Sequence, residues 1–178
     1  TLKYTVGEDN RIYVSNQFEV PETLTDLPRL GVKMELDNSL DQVEWFGRGP
    51  QENYPDRSSG YPVGRYSSNI DQLQVPYIVP QENGGRGDVR ELIVKDSLGA
   101  GIKISSPERF EFSIRRWDTA ALERAMHTHE LTDSGKIFLN LDYFHRGLGS
   151  HSCGPDTLSE YKLNSGIFIF RFIIEPVL

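Results

Sequence analysis

The polar residues of this chain gather in three runs. The first is Trp45-Phe46-Gly47-Arg48-Gly49-Pro50-Gln51-Glu52-Asn53-Tyr54-Pro55-Asp56-Arg57. It joins two carboxylates, two arginines and three aromatics in one long turn after a strand. Guanidinium and carboxylate groups make directional hydrogen bonds to hydroxyls, and aromatic faces cover the apolar side of a sugar ring. The same residues can also satisfy one another, with Arg48 or Arg57 paired to Glu52 or Asp56. The second run, Pro80 to Glu91, repeats the wording Pro-Gln-Glu-Asn of Pro50 to Asn53, and contributes Glu82, Asn83 and Arg90. Its glycines are no phosphate loop, because no Gly-Lys-Ser/Thr and no helix follow. Its Arg86-Gly87-Asp88 matches an adhesion tripeptide, a match that chance readily supplies in a turn-rich chain. The third run, Asn140 to Asp156, has a strand delivering Asn140, Asp142 and Phe144 on one face, then a loop of small residues that lets backbone approach a ligand.

Other chemistries fit less well. His127 and His129 alternate, so on a strand they share a face, and with Glu130 they have zinc-ligand types. The spacing is not the i, i+4 pair of a helical site, and a solvated role is the simpler reading. Cys153 is the single cysteine, which excludes an intrachain disulfide and a cysteine zinc site. His151 lies two residues away with nothing to orient it as a base. A glycosidase needs two carboxyls about 5–5.5 Å apart for retention or 6.5–9.5 Å for inversion. Glu52, Asp56, Glu82, Asp142 and Asp156 are candidates that spacing alone cannot pair.

The elements that must position these runs are strands. The 178 residues are 37% hydrophobic and 25% charged, the profile of one globular domain rather than a disordered chain. Nineteen basic against 26 acidic residues leave a net charge of −7, which disfavours nucleic acid and anionic membrane as partners. Ile12, Val14, Phe18 and Val20 alternate with polar residues, Asn16 being the exception on their face, and Gly7-Glu8-Asp9-Asn10 has hairpin-turn chemistry. Leu30 to Leu36, Phe110 to Ile114 and Ile137 to Tyr143 alternate likewise. Ile167 to Ile174 is nearly all apolar, so it should be covered on both faces. One short helix is expected over Asp118 to Met126, with Asp118 as its N-cap. The result is two packed antiparallel sheets, a β-sandwich. The opening Thr1 to Val6 reads as mid-strand, as in a piece of a longer polypeptide.

The three runs, in this order, resemble the small-chain domain of glycoside hydrolase family 2 β-galactosidases. The matching pieces are Trp45 to Arg57, then Tyr77 to Gly84 with Val89-Arg90-Glu91, then Leu141 to Pro155, and the likeness extends from about Tyr13 to the C-terminus. The resemblance implies the β supersandwich shared with galactose mutarotases, of which this chain would be the C-terminal part, residues 1–178 forming a single domain. It implies the non-catalytic C-terminal domain or small subunit of a retaining enzyme that hydrolyses terminal β-galactosides such as lactose. The family's two catalytic glutamates and its divalent metal, Mg or another, sit on a barrel of which nothing here is reminiscent. No catalytic residue, metal or cofactor is therefore expected in this chain, and it should be inactive alone.

In the family the loop that here runs from Gly147 to Pro155 edges the active-site cleft, which makes Gly149, His151, Ser152, Cys153 and Gly154 the expected substrate-facing residues. One branch of the family has a tryptophan where this chain has Cys153, so a stacking platform is missing. Glu52, Asn53, Asp56, Arg57, Glu82, Asn83, Arg90, Asp142 and His145 form the expected polar cluster, sugar-binding or structural. Arg57 and Arg90 are expected to hold their loops through partly buried pairs with carboxylates. Expected partners are the catalytic part of the enzyme, the β-galactoside and further subunits of an oligomer. The expected compartment is the bacterial cytoplasm, with the periplasm as the alternative. Two other functions compete: a stand-alone carbohydrate-binding module, and a mutarotase-like epimerase built on His145 with Asp142 or Glu82.

Overall fold

The computed structural model describes residues 1–150 and 153–178. Its strands are β1 (Leu2–Val6), β2 (Ile12–Val20), β3 (Arg29–Asp37), β4 (Gln42–Arg48), β5 (Val63–Asn69), β6 (Arg86–Lys95), β7 (Gly101–Arg115), β8 (Lys136–His145) and β9 (Gly166–Val177). All pairings are antiparallel, in the order β1-β2-β9-β7-β6-β4-β5, with β8 added to β7 and β3 beyond β8. Strand β7 belongs to both layers. Its beginning, Gly101 to Ser105, pairs with β9, and its end, Glu111 to Arg115, pairs with β8. The apolar sides of the two layers meet in one core that includes Val14, Trp45, Leu92, Phe112, Ile137, Leu139 and Phe170. This is an all-β antiparallel sandwich.

Local sequence explains the turns. Gly7 to Asn10 closes the β1–β2 hairpin, with Asn10 at φ 60 and the Gly7 amide on the Arg11 carbonyl at 2.8 Å. The helix α1 spans Thr119–Arg124, and the Asp118 side chain accepts from the Ala121 amide at 2.7 Å. A bulge between Leu30 and Gly31 shifts the β3–β8 register. A Cβ at Gly31 would run into the Leu141 carbonyl and Asp142, so only glycine lets β3 approach β8 this closely.

Two expectations are corrected. Phe170 and Phe172 of β9 face the core, but Ile167 and Ile169 are 70% and 40% exposed, because among the described residues no layer lies over that face. His127 precedes a 3-10 turn over Thr128–Glu130 and is not on a strand. The polar side of the β7 alternation is buried as well. Ser113 and Arg115 are as buried as Phe112 and Ile114 across the strand. Among the described residues no helix is long and apolar enough to cross a membrane.

Candidate functional site

The first and third runs meet at the loop that leaves β8. Asp56 accepts from the Leu148 amide at 3.0 Å, the Gly149 amide at 2.7 Å and the Thr157 hydroxyl at 3.0 Å. Burial alone would raise the Asp56 carboxyl, but these hydrogen bonds outweigh it and hold the carboxyl below its ordinary value. Arg57 donates to the Gly149 carbonyl at 2.5 Å. Gly149 has φ +64, and a Cβ there would press on the Thr157 amide at 2.6 Å, so a side chain would break this seat. The base of the loop is clamped by Arg146, which donates to Asp26 at 2.5 Å and to Asp156 at 2.6 Å, and by Lys162, 2.6 Å from Asp156. Asp26 and Asp156 are both held below the ordinary carboxylate range by these cations. Arg57, Tyr77, Gln81, Leu148, Gly149, Ser150 and Cys153 surround an open depression of about 660 Å³. His151 and Ser152, expected at this loop, lie outside the described residues.

The repeated tetrapeptide has a local meaning. Asn53 donates to the Gln51 carbonyl at 3.1 Å and Asn83 to the Gln81 carbonyl at 3.0 Å, so each asparagine turns back on the residue two before it. The Asn53 oxygen accepts from the Gly87 amide at 2.9 Å and the Asn83 oxygen from the Val75 amide at 3.0 Å. The glutamates diverge. Glu52 accepts from Tyr54 at 3.0 Å, Tyr77 at 3.1 Å and the Gly84 amide at 2.8 Å, tying the first run to the second. Glu82 turns to a cleft between β3, β7 and β8.

That cleft, about 170 Å³, is lined by Arg29, Tyr54, Glu82, Glu111, Arg115 and His145, with Asp142. Arg29 donates to both oxygens of Asp142, through Nε at 3.2 Å and through Nη2, and to Glu82 at 2.7 Å. Glu82 also takes the Thr119 hydroxyl at 2.5 Å and lies 3.3 Å from Arg115 Nη1. Burial would raise Glu82, but Arg115 and Arg29 bring its carboxyl below its ordinary value. Glu111 is pushed well above its ordinary value, by burial first and then by Asp142, against the smaller opposing pull of Arg29. Burial lowers His145, which is therefore neutral near pH 7. Its Nδ1 donates to the Arg146 carbonyl at 2.7 Å, leaving Nε2 as an acceptor.

The family model described as "Beta galactosidase small chain" matches residues 1–174. This chain belongs to the β-galactosidase small-chain family. Among curated relatives, a β-galactosidase of Vibrio cholerae is 39% identical over 158 residues, covering 89% of this chain and 14% of the relative. One from Psychromonas ingrahamii is 32% identical over 173 residues, covering 97% and 16%. One from Kluyveromyces lactis is 36% identical over 148 residues, covering 83% and 14%. The chain thus spans about one sixth or less of the length of these relatives.

In this small-chain domain the expected polar cluster is split. Glu52, Asn53, Asp56, Arg57 and Asn83 build the loop seat and its neighbour, whereas Glu82, Asp142 and His145 line the cleft. Among the described residues Arg57 and Arg90 are not paired with carboxylates as expected. Arg57 is exposed and bonds a carbonyl, and Arg90 donates to the Asp88 carbonyl and lies over the Phe46 ring at 5.3 Å. Arg48 pairs with Asp88 at 2.8 Å rather than with Glu52 or Asp56. Arg86 is 3% exposed, its pKa brought down to about 10 by burial, so the Arg86-Gly87-Asp88 tripeptide is part of the fold and not a surface tag. His127, His129 and Glu130 do bring their ligand atoms within 4.8 Å of one another, all exposed. Sequence reasoning missed Arg29, Glu111 and Arg115. The available signal was their place on strands β3 and β7 beside Asp142.

Proposed function

We propose that this chain is the non-catalytic C-terminal domain or small subunit of a retaining β-galactosidase that hydrolyses terminal β-D-galactosides such as lactose. Its loop Gly147 to Pro155 edges the catalytic cleft. The observation that carries this reading is the loop seat. Asp56 and Arg57, from the first motif, hold the backbone of the third at Leu148 and Gly149, and Asp56 also takes the hydroxyl of Thr157 just beyond it. Such a seat fixes a loop of small residues from below and leaves its outer side, with Cys153 exposed, for a neighbour or a ligand.

The candidate carboxylates Glu52, Asp56 and Asp142 are engaged elsewhere, which supports a non-catalytic role. Asp56 holds the loop, Glu52 holds two tyrosines and a backbone amide, and both oxygens of Asp142 lie in the fork of Arg29. A retaining mechanism needs one carboxylate free to attack the anomeric carbon. The hydrolytic pair and its divalent metal then belong to the catalytic part of the enzyme, and this domain shapes the aglycone side. Replacing Cys153 by Trp in the complete enzyme tests the reading, since a ring face adds apolar contact with an acceptor sugar. The expected result is a changed ratio of transfer to glucose over hydrolysis. Unchanged acceptor kinetics in a folded variant would remove the loop from the cleft.

A further inference from the structure

We infer that His127, His129 and Glu130, on the connection from α1 to β8, form a surface site for a divalent transition-metal ion such as zinc. The juxtaposition of the three side chains carries the inference. One ligand atom from each, an imidazole nitrogen of either histidine and a carboxylate oxygen, lies within 4.8 Å of the other two. His127 Nδ1 is 2.9 Å from Glu130 Oε1, and the two imidazole rings stack with centroids 5.4 Å apart and planes 22° from parallel. Around a tetrahedral ion with bonds of about 2.0–2.2 Å, ligand atoms stand about 3.3–3.6 Å from one another. The cluster therefore has at most about 1.5 Å to close. All three side chains are exposed, so rotations of that size displace no core packing.

The local backbone explains why three residues so close in sequence can share an ion. Thr128–Glu130 form a 3-10 turn with His127 as its N-cap. The Glu130 amide donates to the His127 carbonyl at 3.1 Å and the Leu131 amide to the Thr128 carbonyl at 3.2 Å. Residues three apart eclipse in this geometry, which sets the Glu130 carboxylate beside the His127 ring. Its second oxygen, Oε2, accepts from the Met126 amide at 2.9 Å. A ligating carboxylate is commonly held by such an outer hydrogen bond, which aims the remaining oxygen. The His127–Glu130 contact alone would be an ion pair; His129, stacked on His127, adds a second nitrogen that an ion pair does not use. The donor set selects the ion. Imidazole suits zinc, copper, nickel and iron, whereas magnesium and calcium take oxygen ligands. Two nitrogens and one carboxylate oxygen leave the fourth tetrahedral position to water.

The site shares no residue with the loop seat or the cleft, so it stands or falls apart from the loop reading. Isothermal titration calorimetry of the 178-residue chain with zinc chloride, in a buffer that does not bind metal, reads it directly. One ion per chain should bind with a Kd below about 100 µM. The imidazole proton signals of His127 and His129 should shift with it, while that of His145, held on the Arg146 carbonyl, stays. Magnesium chloride at the same concentration should give no binding. His127→Ala and His129→Ala should each weaken zinc binding by about 10–100-fold or more, since the loss of a mere outer contact to a metal ligand costs that much. Glu130→Gln, which keeps an acceptor for the Met126 amide, should weaken it too. These positions are exposed, so the variants should fold as the native chain does. Cys153→Ser removes the single thiol and should leave zinc binding unchanged. No binding up to about 100 µM overturns the proposal, as does equal binding of magnesium. Zinc binding unchanged by any one of the three cluster substitutions, or lost in Cys153→Ser, overturns it as well. A failed acceptor test at Cys153 leaves this titration unaffected.

Discussion

Asp56 is the residue on which the loop seat stands, and Asp56→Ala removes its three hydrogen bonds at once. Each hydrogen bond to a charged group contributes about 1.5–3 kcal/mol. The three share one carboxylate that is only half buried, and water can reach the freed amides, so their sum is discounted to about 3 kcal/mol. In a domain of this size each kcal/mol moves Tm by about 2–4 °C, giving a fall of about 6–12 °C. Asp56→Asn keeps one acceptor oxygen and should lose about half as much. The sign with pH follows from the depressed carboxyl. Its stabilisation is present above the ordinary carboxylate range and is lost as pH falls through the folded-state value, so native and Asp56→Asn melting temperatures should converge in acid. Thermal melts with amide hydrogen exchange at Leu148 and Gly149 measure both effects. A Tm change within about 1 °C, with exchange at those amides unchanged, would refute the view that Asp56 seats the loop.

Arg57→Ala should be mild, under about 1 kcal/mol, because its side chain is exposed and among the described residues makes a single bond, to the Gly149 carbonyl; a calorimetric loss of several times that would show a buried partner. Gly31→Ala should cost about 1–3 kcal/mol or more, since the new Cβ meets the β8 backbone; an unchanged denaturation midpoint would mean that β3 shifts freely. Asp26 and Asp156 have folded-state values below the unfolded ones, so the clamp with Arg146 and Lys162 should stabilise above the ordinary carboxylate range and fade as pH drops. Asp156→Asn should flatten that acid slope, and salt should weaken it; a slope unmoved by either change would assign acid lability elsewhere.

Alternation in the sequence located β2, β3, the end of β7 and β8, and the N-cap chemistry of Asp118 located α1, because these signals are local. Two features depended on what packs over a face, which no local signal records. The apolar run Ile167 to Ile174 looked doubly covered but has an exposed side. The Glu111-Ser113-Arg115 face, polar by alternation, is gathered with Glu82, Asn83, Asp142 and His145 around one cleft. The motifs led to the loop seat because Asp56 and Gly149 fall inside them. The partners themselves were illegible: Arg48 meets Asp88, forty residues on, and Arg29 meets Asp142 across the β3–β8 pairing.

As proposed, this domain completes a β-galactosidase without supplying its chemistry. Reconstitution measures it: a β-galactosidase lacking this region is assayed with a chromogenic galactoside, alone and after addition of the chain, beside the chain by itself. No turnover is expected from the chain, impaired turnover from the truncated enzyme, and recovery on mixing that Asp56→Ala diminishes. Turnover by the purified chain alone, abolished by a substitution at Glu82 or Glu111, would contradict it.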